Sequence, residues 1–320
     1  MTQAPTPTAD TVRRLVRALL GEGDRDGAGP EVRPVAGTAR PGSTWWIGSR
    51  HVLRLATDRD GTARLRRELR LRDLARPCLP VPVPGSVAHG DWSPGLAHTL
   101  DLRLPGGTAE EHDVSAVGEA DLAGLLGGLR DVPARQAEAL GVPRTAPRSL
   151  EALRRMAVAA SVPLAAADEF DPTRLHQLTP PGAAQLAAQP HTAVLVHHSL
   201  RGDHLVVGPD GRVRGVLGWG RASVGDPAED IAGLALAVGS GAAVRAATLA
   251  GYGARPCLRG LWLARCDTVV RLARYLEDGS GRAGGPGEPP PLLHTQLTRA
   301  WETILLERVT EPRDDAPHAP

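Results

Sequence analysis

The 320-residue sequence contains no lysine and no asparagine, so arginine supplies all 37 of its basic side chains. Phenylalanine, tyrosine and methionine are also scarce, with 1, 2 and 2 copies. The missing types share A/T-rich codons, and a G+C-rich genome explains their absence without selection for function. A chemical consequence remains, because no lysine ammonium can bind a phosphate here and no asparagine oxygen can bind a metal ion.

Neither sign of charge dominates, because 37 basic residues face 36 acidic ones and the net charge is +1. This balance argues against a nucleic-acid or membrane-surface partner held by bulk charge. The three cysteines form no CxxC pair and have no histidine at ligand spacing, so the sequence supports neither a disulfide framework nor a structural zinc site. The longest small-apolar run, residues 231–244, is short and broken by glycine. With no export signal at the N-terminus, we expect a cytoplasmic protein without a membrane span.

The length suggests about two domains or lobes, and the residue pattern changes along the chain accordingly. The pattern predicts an N-terminal helix in residues 1–25, a small lobe in 26–103 with an antiparallel sheet and one helix, a helical lobe in 104–310 with a central hairpin, and a disordered tail in 311–320. A proline–glycine hinge at 105–107 separates the lobes. The expected fold class is therefore α+β, with a small β-rich lobe and a larger α-helical lobe.

The most informative stretch is VLVHHSLRGDHLVVGPDGRVRGVLGWGRASVGDPAEDIAGLA, residues 194–235. It resembles the catalytic half of the aminoglycoside phosphotransferase family, in which the pattern reads LVHGDLxxxN(or H)xLV, a turn, then GVIDWxxxxxGDPxxDLA. The leucines, the PDG turn, Trp219 and the GDPxxD segment all fall in register. The resemblance covers about residues 30–275, and it implies a two-lobed protein-kinase-like fold that binds ATP or another nucleotide.

The same resemblance implies that residues of the small lobe and the hinge contact the nucleotide. Arg54 in VLRLA stands where the family places a strand cation, and Glu68 stands where it places a helix glutamate. Leu102, Arg103 and Leu104 resemble the hinge, where backbone groups can bind an adenine. An Arg54–Glu68 pair would preserve the charge arrangement, since arginine can bind phosphate bidentately. The alternative is a surface strand arginine beside an unrelated helix glutamate.

Two departures from the family pattern fall on residues that are central to phosphoryl transfer. The family's HGD reads HHS, so Ser199 replaces the catalytic aspartate, and a serine is no general base without an activating neighbour. The family's IDW reads LGW, so Gly218 replaces the principal magnesium-binding aspartate. His204 stands at the second metal position, where imidazole is a poor ligand for Mg²⁺. We therefore predict a degenerate catalytic site and doubt that Mg²⁺ binds.

The remaining site residues have structural interpretations beside catalytic ones. We expect His197 to pack within the catalytic loop, whereas His198 is the group that could titrate near neutral pH inside the cleft. Asp203 is predicted to be a solvated turn residue, with replacement of a lost carboxylate as the alternative. Asp226 begins DPAE, a signature of a helix start closed by a capping box. The resemblance implies that Asp230 anchors the catalytic loop from below.

These residues predict a pseudokinase-like protein that has lost phosphoryl transfer. Such a protein would bind a small molecule, a peptide or a partner enzyme through its cleft or a lobe surface. One alternative is a divergent, active ATP-dependent phosphotransferase acting on a small hydroxylated molecule or a peptide Ser/Thr. A second alternative is an accessory protein for peptide modification in a natural-product pathway.

Overall fold

A computed structural model describes residues 7–21, 30–35, 42–189, 193–277 and 290–304 of the chain. The tail predicted at 311–320 lies outside these residues. The described part forms the two lobes that the sequence predicts, a small one built on a sheet and a larger one built on helices. No helix of this part is both long enough and apolar enough to cross a membrane.

The small lobe is built on a five-stranded antiparallel sheet between two helices. Its elements are α1 (Ala9–Leu20), β1 (Val32–Pro34), β2 (Thr44–Ile47), β3 (His51–Leu55), α2 (Arg59–Ala75), β4 (Ser86–Ser93) and β5 (Leu96–Leu102). The strand order is β1-β2-β3-β5-β4, which leaves β4 at an edge. The apolar stripe of α1 buries Val12 and Val16 against Leu53 and Leu100 of the sheet, while α2 packs against β5.

The large lobe begins after the hinge and is mainly helical. Its helices are α3 (Ala116–Asp131), α4 (Ala134–Ala139), α5 (Leu150–Ala166), α6 (Pro180–Gln185), α7 (Ala228–Val238), α8 (Ser240–Leu249), α9 (Ala254–Glu277) and α10 (Pro290–Ala300). The long helix α9 packs against both α5 and α7, and most of its apolar residues are buried. This packing forms the main hydrophobic core, which supports the loops above it.

Five short strands position the loops of the large lobe. They are β6 (Gly107–Thr108), β7 (Val194–Val196), β8 (Leu205–Val207), β9 (Val213–Val216) and β10 (Ser223–Gly225). β8 and β9 form the predicted hairpin around the PDG turn, and β7 pairs with β10. The HHS segment follows β7 directly and the LGW segment follows β9. The N–H of Leu217 donates to the carbonyl oxygen of His204 at 2.8 Å, so the two segments lie side by side.

Candidate active site

A buried carboxylate holds the loop that follows β7. Asp230, near the start of α7, is 2% exposed and accepts the backbone N–H groups of His197 and His198, each at 2.7 Å. Burial raises the pKa of Asp230 to about 7, although both N–H donors oppose this shift. His198 has a φ of 60°, in the left-handed region that glycine adopts more readily, and it occupies the glycine position of the HGD pattern. The backbone at this position therefore has a conformation that glycine adopts readily, although the residue is a histidine.

His197 is a packed residue at the base of this loop. Its ring is fully buried and lies edge-on to Trp219, with 4.9 Å between the ring centroids. Burial, reinforced by the nearby His204, lowers the pKa of His197 to about 3, so the ring is uncharged at neutral pH. His197 is therefore shielded from any substrate in the cleft.

His198 turns toward β10 rather than standing alone in the cleft. Its Nδ1 lies 3.1 Å from the Oγ of Ser223, and the ring is partly exposed. This contact connects the loop to β10, which leads into the Gly-Asp-Pro segment at residues 225–227. A base at His198 would have to act through Nε2, because Nδ1 is already engaged.

Ser199 contacts a histidine, but the contact does not activate its hydroxyl. The Nδ1 of His204 lies 3.2 Å from the Oγ of Ser199 and 2.7 Å from the backbone oxygen of the same residue. A carbonyl oxygen can only accept, so the short contact requires a proton on Nδ1. That nitrogen then cannot take the proton of the Ser199 hydroxyl. The Ser–His pair is therefore not a nucleophile–base pair.

The imidazole of His204 occupies the space that a side chain at position 218 would need. Gly218 has a φ of 80°, and a Cβ built on it would lie 2.4 Å from Cε1, 2.5 Å from Nδ1 and 2.7 Å from Nε2 of His204. Real Cβ atoms essentially never approach other heavy atoms within 3.0 Å. The space beside Gly218, where the family pattern would place a carboxylate, is therefore filled by a ring from the neighbouring segment.

The donor groups at this place do not fit Mg²⁺. Positions 199, 204 and 218 offer a hydroxyl and an imidazole but no carboxylate, whereas Mg²⁺ prefers carboxylate, phosphate and water oxygens. Across the described ranges, no group of three or more His, Cys, Asp or Glu side chains is arranged to hold a metal ion. The residues therefore argue against a magnesium site of the usual kind.

Asp203 lies close to the cleft, but its carboxylate is already paired. The Nε of Arg201 donates to its Oδ1 at 3.0 Å, and Nη2 of the same guanidinium contacts Oδ2. Burial is the largest single influence and raises the pKa of Asp203, but the hydrogen bonds and charge of Arg201, together with the nearby His204, outweigh it and leave this pKa lowered. A paired, partly exposed carboxylate with a lowered pKa is a poor general base, which agrees with the turn role expected from the sequence.

The cation on β3 belongs to a four-membered ion network between the sheet and α2. Arg54 donates through Nη1 to Glu68 at 2.8 Å, and its Nη2 lies 3.0 Å from Asp101 on β5. Asp101 also accepts two bonds from Arg72, at 3.1 and 3.2 Å. Arg72, Glu68 and Asp101 are all less than 9% exposed. Both terminal nitrogens of Arg54 therefore face carboxylates of its own chain.

The hinge residues use part of their backbone on the protein itself. The N–H of Leu102 donates to Gly85 at 2.7 Å, and that of Arg103 donates to Arg50 at 2.8 Å. The Arg103 guanidinium stacks 4.6 Å from the ring centroid of Trp46. Leu104 packs its side chain over the glycine at 215. An adenine would therefore have to use hinge groups other than the N–H of Leu102 and Arg103.

Asp226 and Arg259 form a buried pair beneath α7. Arg259 donates through Nε to Asp226 at 2.6 Å, and Asp226 also accepts the N–H of Ala228 at 3.0 Å. The predicted capping box is wrong, because the carboxylate of Glu229 binds Arg148 at 2.7 and 2.9 Å instead of closing back on the helix start. Asp226 therefore connects α7 to α9 and lies in the structural support of the site.

A comparison with family models assigns residues 31–261 to one described as the phosphotransferase enzyme family. The chain belongs to this family. The match includes the small-lobe sheet, the hinge, the HHS and LGW segments and the start of α9, which is more than half of the sequence. A comparison with curated proteins finds no match.

Solved structures of phosphotransferases show the same fold. A GDP complex of aminoglycoside 2'-phosphotransferase-IIIa is 19% identical, with a TM-score of 0.62 over 90% of this chain and 97% of the other. A macrolide 2'-phosphotransferase from Brachybacterium faecium is 21% identical, with a TM-score of 0.57 over 91% and 99% of the two chains. At these identities the likeness establishes the fold of this phosphotransferase-family chain.

Two members of the ion network have no clear signature in the sequence. Asp101 and Arg72 are placed against Arg54 and Glu68 by the packing of α2 on β5. Weak signals are present, since Asp101 is a single acid within the strand LAHTLDL and Arg72 is one helical turn beyond Glu68. The pair expected from the family pattern is therefore part of a larger buried cluster in this chain.

Proposed function

We propose that this phosphotransferase-family chain has lost magnesium-dependent phosphoryl transfer and acts as a binding protein. One observation carries the proposal: the imidazole of His204 occupies the space that a side chain at position 218 would need. Phosphoryl transfer depends on metal ions that neutralise the charge between the β- and γ-phosphates. A site that offers an imidazole where that carboxylate belongs supplies no such neutralisation.

The absence of a usable base supports the same proposal. His204 cannot accept the proton of the Ser199 hydroxyl, because its Nδ1 donates to a backbone oxygen, and the carboxylate of Asp203 is paired with Arg201. Loss of a general base alone costs a factor of about 10² to 10⁴ in rate. Combined with the loss of the metal carboxylate, it leaves the cleft with neither of the two groups that the family pattern requires.

The cleft is proposed to bind a nucleotide only weakly. Related structures are described as complexes with GDP, ADP or ATP, which supports a nucleotide as the ligand class. In this chain, however, a phosphate would compete with Glu68 and Asp101 for the terminal nitrogens of Arg54. We therefore place function in the binding of a small molecule, a peptide or a partner enzyme, without a required magnesium ion.

Turnover of ATP tests this proposal directly. With saturating Mg²⁺ and ATP, and with aminoglycoside, macrolide or Ser/Thr-peptide acceptors, we expect release or transfer of phosphate far below about 1 s⁻¹, the low end for kinases. Ser199→Ala should leave any residual signal unchanged, because the hydroxyl is not activated. Turnover near 1 s⁻¹ would contradict the proposal.

A divergent active phosphotransferase is the second candidate, and one observation favours it. The Arg54–Glu68 contact of 2.8 Å and the anchored loop on Asp230 preserve much of a working cleft. In that case Asp203, His198 or His204 must do the chemistry in an unusual role. Turnover that is lost in Asp203→Ala or His204→Ala, while Ser199→Ala remains active, would support this candidate over the first.

A further inference from the structure

A basic groove lies on the small lobe, outside the cleft between the lobes. Its volume is about 710 Å³, and it runs between α2 and the segment that begins β4. The α2 wall carries Arg66, Arg70 and Arg72, continued by Arg76 just beyond the helix, and residues 84–89 form the opposite wall. We call it the α2–β4 groove.

The wall formed by α2 is strongly basic. Residues 59–76 contain seven arginines and three acidic residues, a local net charge of +4, whereas the whole chain carries +1. One of the three acids, Glu68, is buried in the ion network and does not face the groove. Four of the arginines line the groove itself, against one acid, Asp73. The groove is therefore a positive surface, and it attracts anionic groups.

Two of these guanidinium groups are available to a partner. Arg70 is exposed and donates a long bond of 3.4 Å to the backbone oxygen of Leu140, and no described carboxylate forms an ion pair with it. Arg76 is exposed and donates through Nη1 to the backbone oxygen of Val83 at 3.1 Å, whereas its Nη2 has only long contacts of 3.5 Å, to Asp73 and to the backbone oxygen of Pro84. No carboxylate of the described ranges therefore holds this guanidinium closely. Arg66 has a closer exposed partner, Asp91, at 2.6 Å. Two of the three exposed arginines therefore have donors to offer.

The spacing of the arginines fits an extended acidic chain better than a single phosphate. A helical rise of about 1.5 Å per residue separates positions 66 and 70 by about 6 Å and positions 70 and 76 by about 9 Å. Alternate side chains of an extended peptide are about 6 to 7 Å apart, which matches the first separation. The long, flexible arginine and glutamate side chains can bridge the difference of about 2 to 3 Å at the second. Two exposed apolar residues, Val87 and Leu102, lie beside Gly85 near the groove and offer contacts to an adjacent apolar side chain.

We infer that the α2–β4 groove binds an acidic, extended peptide segment of a partner protein. The inference does not depend on the state of the cleft, because no residue of the HHS or LGW segments lines the groove. Its inner wall is nevertheless part of the ion network, since Arg72 lines the groove and binds Asp101, which also holds Arg54. A partner seated there would contact the helix that sets the position of Glu68.

Fluorescence anisotropy with a labelled peptide of alternating glutamate and leucine tests the inference, with a matching lysine–leucine peptide as the negative probe. We expect the acidic peptide alone to bind, and its affinity to fall about tenfold or more in Arg70→Glu/Arg76→Glu. The charge-matched control Arg155→Glu/Arg274→Glu changes exposed arginines of α5 and α9 and should retain most of the affinity. Arg70→Gln, a milder change, should give a smaller loss in the same direction.

An equal loss of peptide affinity in the groove variant and in the control variant would overturn the inference, because it would show that the peptide is attracted by net charge alone. Retention of full affinity in the groove variant would also overturn it. Single-stranded DNA serves as a competing polyanion. If DNA binds more tightly than the peptide, and the groove variant loses this affinity for DNA, the groove is assigned to nucleic acid instead. Melting temperatures of all variants within a few degrees of the native value confirm that each is folded.

Discussion

Replacing Gly218 by alanine is expected to lower the free energy of unfolding by about 2–5 kcal/mol, and about 1–3 kcal/mol of that loss is expected to depend on His204. The left-handed backbone at φ 80° costs a residue with a Cβ about 1–2 kcal/mol. The new methyl group would also overlap the His204 ring, and overpacking of this kind costs about 1–3 kcal/mol. Urea unfolding of the native and variant proteins measures the total change in the free energy of unfolding, which is the sum of these two costs.

A double-mutant cycle separates the two contributions. His204→Ala removes the ring, so Gly218→Ala in that background should lose only the backbone part, with a coupling of about 1–3 kcal/mol between the two sites. Gly95→Ala is the matched control, because Gly95 has a φ of 73° and no atom lies within 4 Å of the place that a new methyl group would take. It should show the backbone cost and no coupling to His204. Additive effects of Gly218→Ala and His204→Ala would contradict the placement of the ring.

Replacing Asp101 by asparagine is expected to destabilise the protein by about 3–5 kcal/mol, the usual cost of leaving a buried charge without its partner. Asp101 accepts two bonds from Arg72, which is 2% exposed, and it also faces Arg54. Without this carboxylate, Glu68 is left as the one acid of the network against two guanidinium groups. Urea unfolding provides the measurement.

Asp91→Asn is the matched control for this prediction. Asp91 forms an ion pair with Arg66 at 2.6 Å, but both side chains are more than 40% exposed. Exposed pairs are worth about 0–1 kcal/mol because water screens them. A loss below about 1 kcal/mol for both variants would show that the network around Asp101 does not support the small lobe.

Much of the fold follows from local patterns in the sequence. The alternation in TWWI and HVLRL predicts strands, the PDG turn predicts the β8–β9 hairpin, and the prolines after α2 predict its end. Local patterns are less informative at helix ends. The apolar pattern predicts a last helix that continues beyond residue 300, but α10 ends at Ala300, where Trp301 packs against Trp262 and Phe170 in the core. Tertiary packing decides that boundary.

The candidate site shows the same division between local and distant information. The register of HHS, LGW and GDPAED gives the positions of Ser199, His204 and Gly218, because the motif is contiguous in sequence. The overlap of the His204 ring with the side-chain space of Gly218 depends on the direction of one side chain between two segments. The pairing of Arg54 with Asp101 depends on which residue of β5 lies opposite β3. Neither arrangement has a local sequence signature.

Thermal unfolding of the native protein with ATP, in the presence of Mg²⁺ and in the presence of EDTA, tests the loss of the metal site most directly. A ligand raises the unfolding temperature only as far as it binds the folded state. The arrangement of Ser199, His204 and Gly218 predicts the same small shift, or none, under both conditions. A stabilisation of several degrees that requires Mg²⁺ and disappears with EDTA would contradict it.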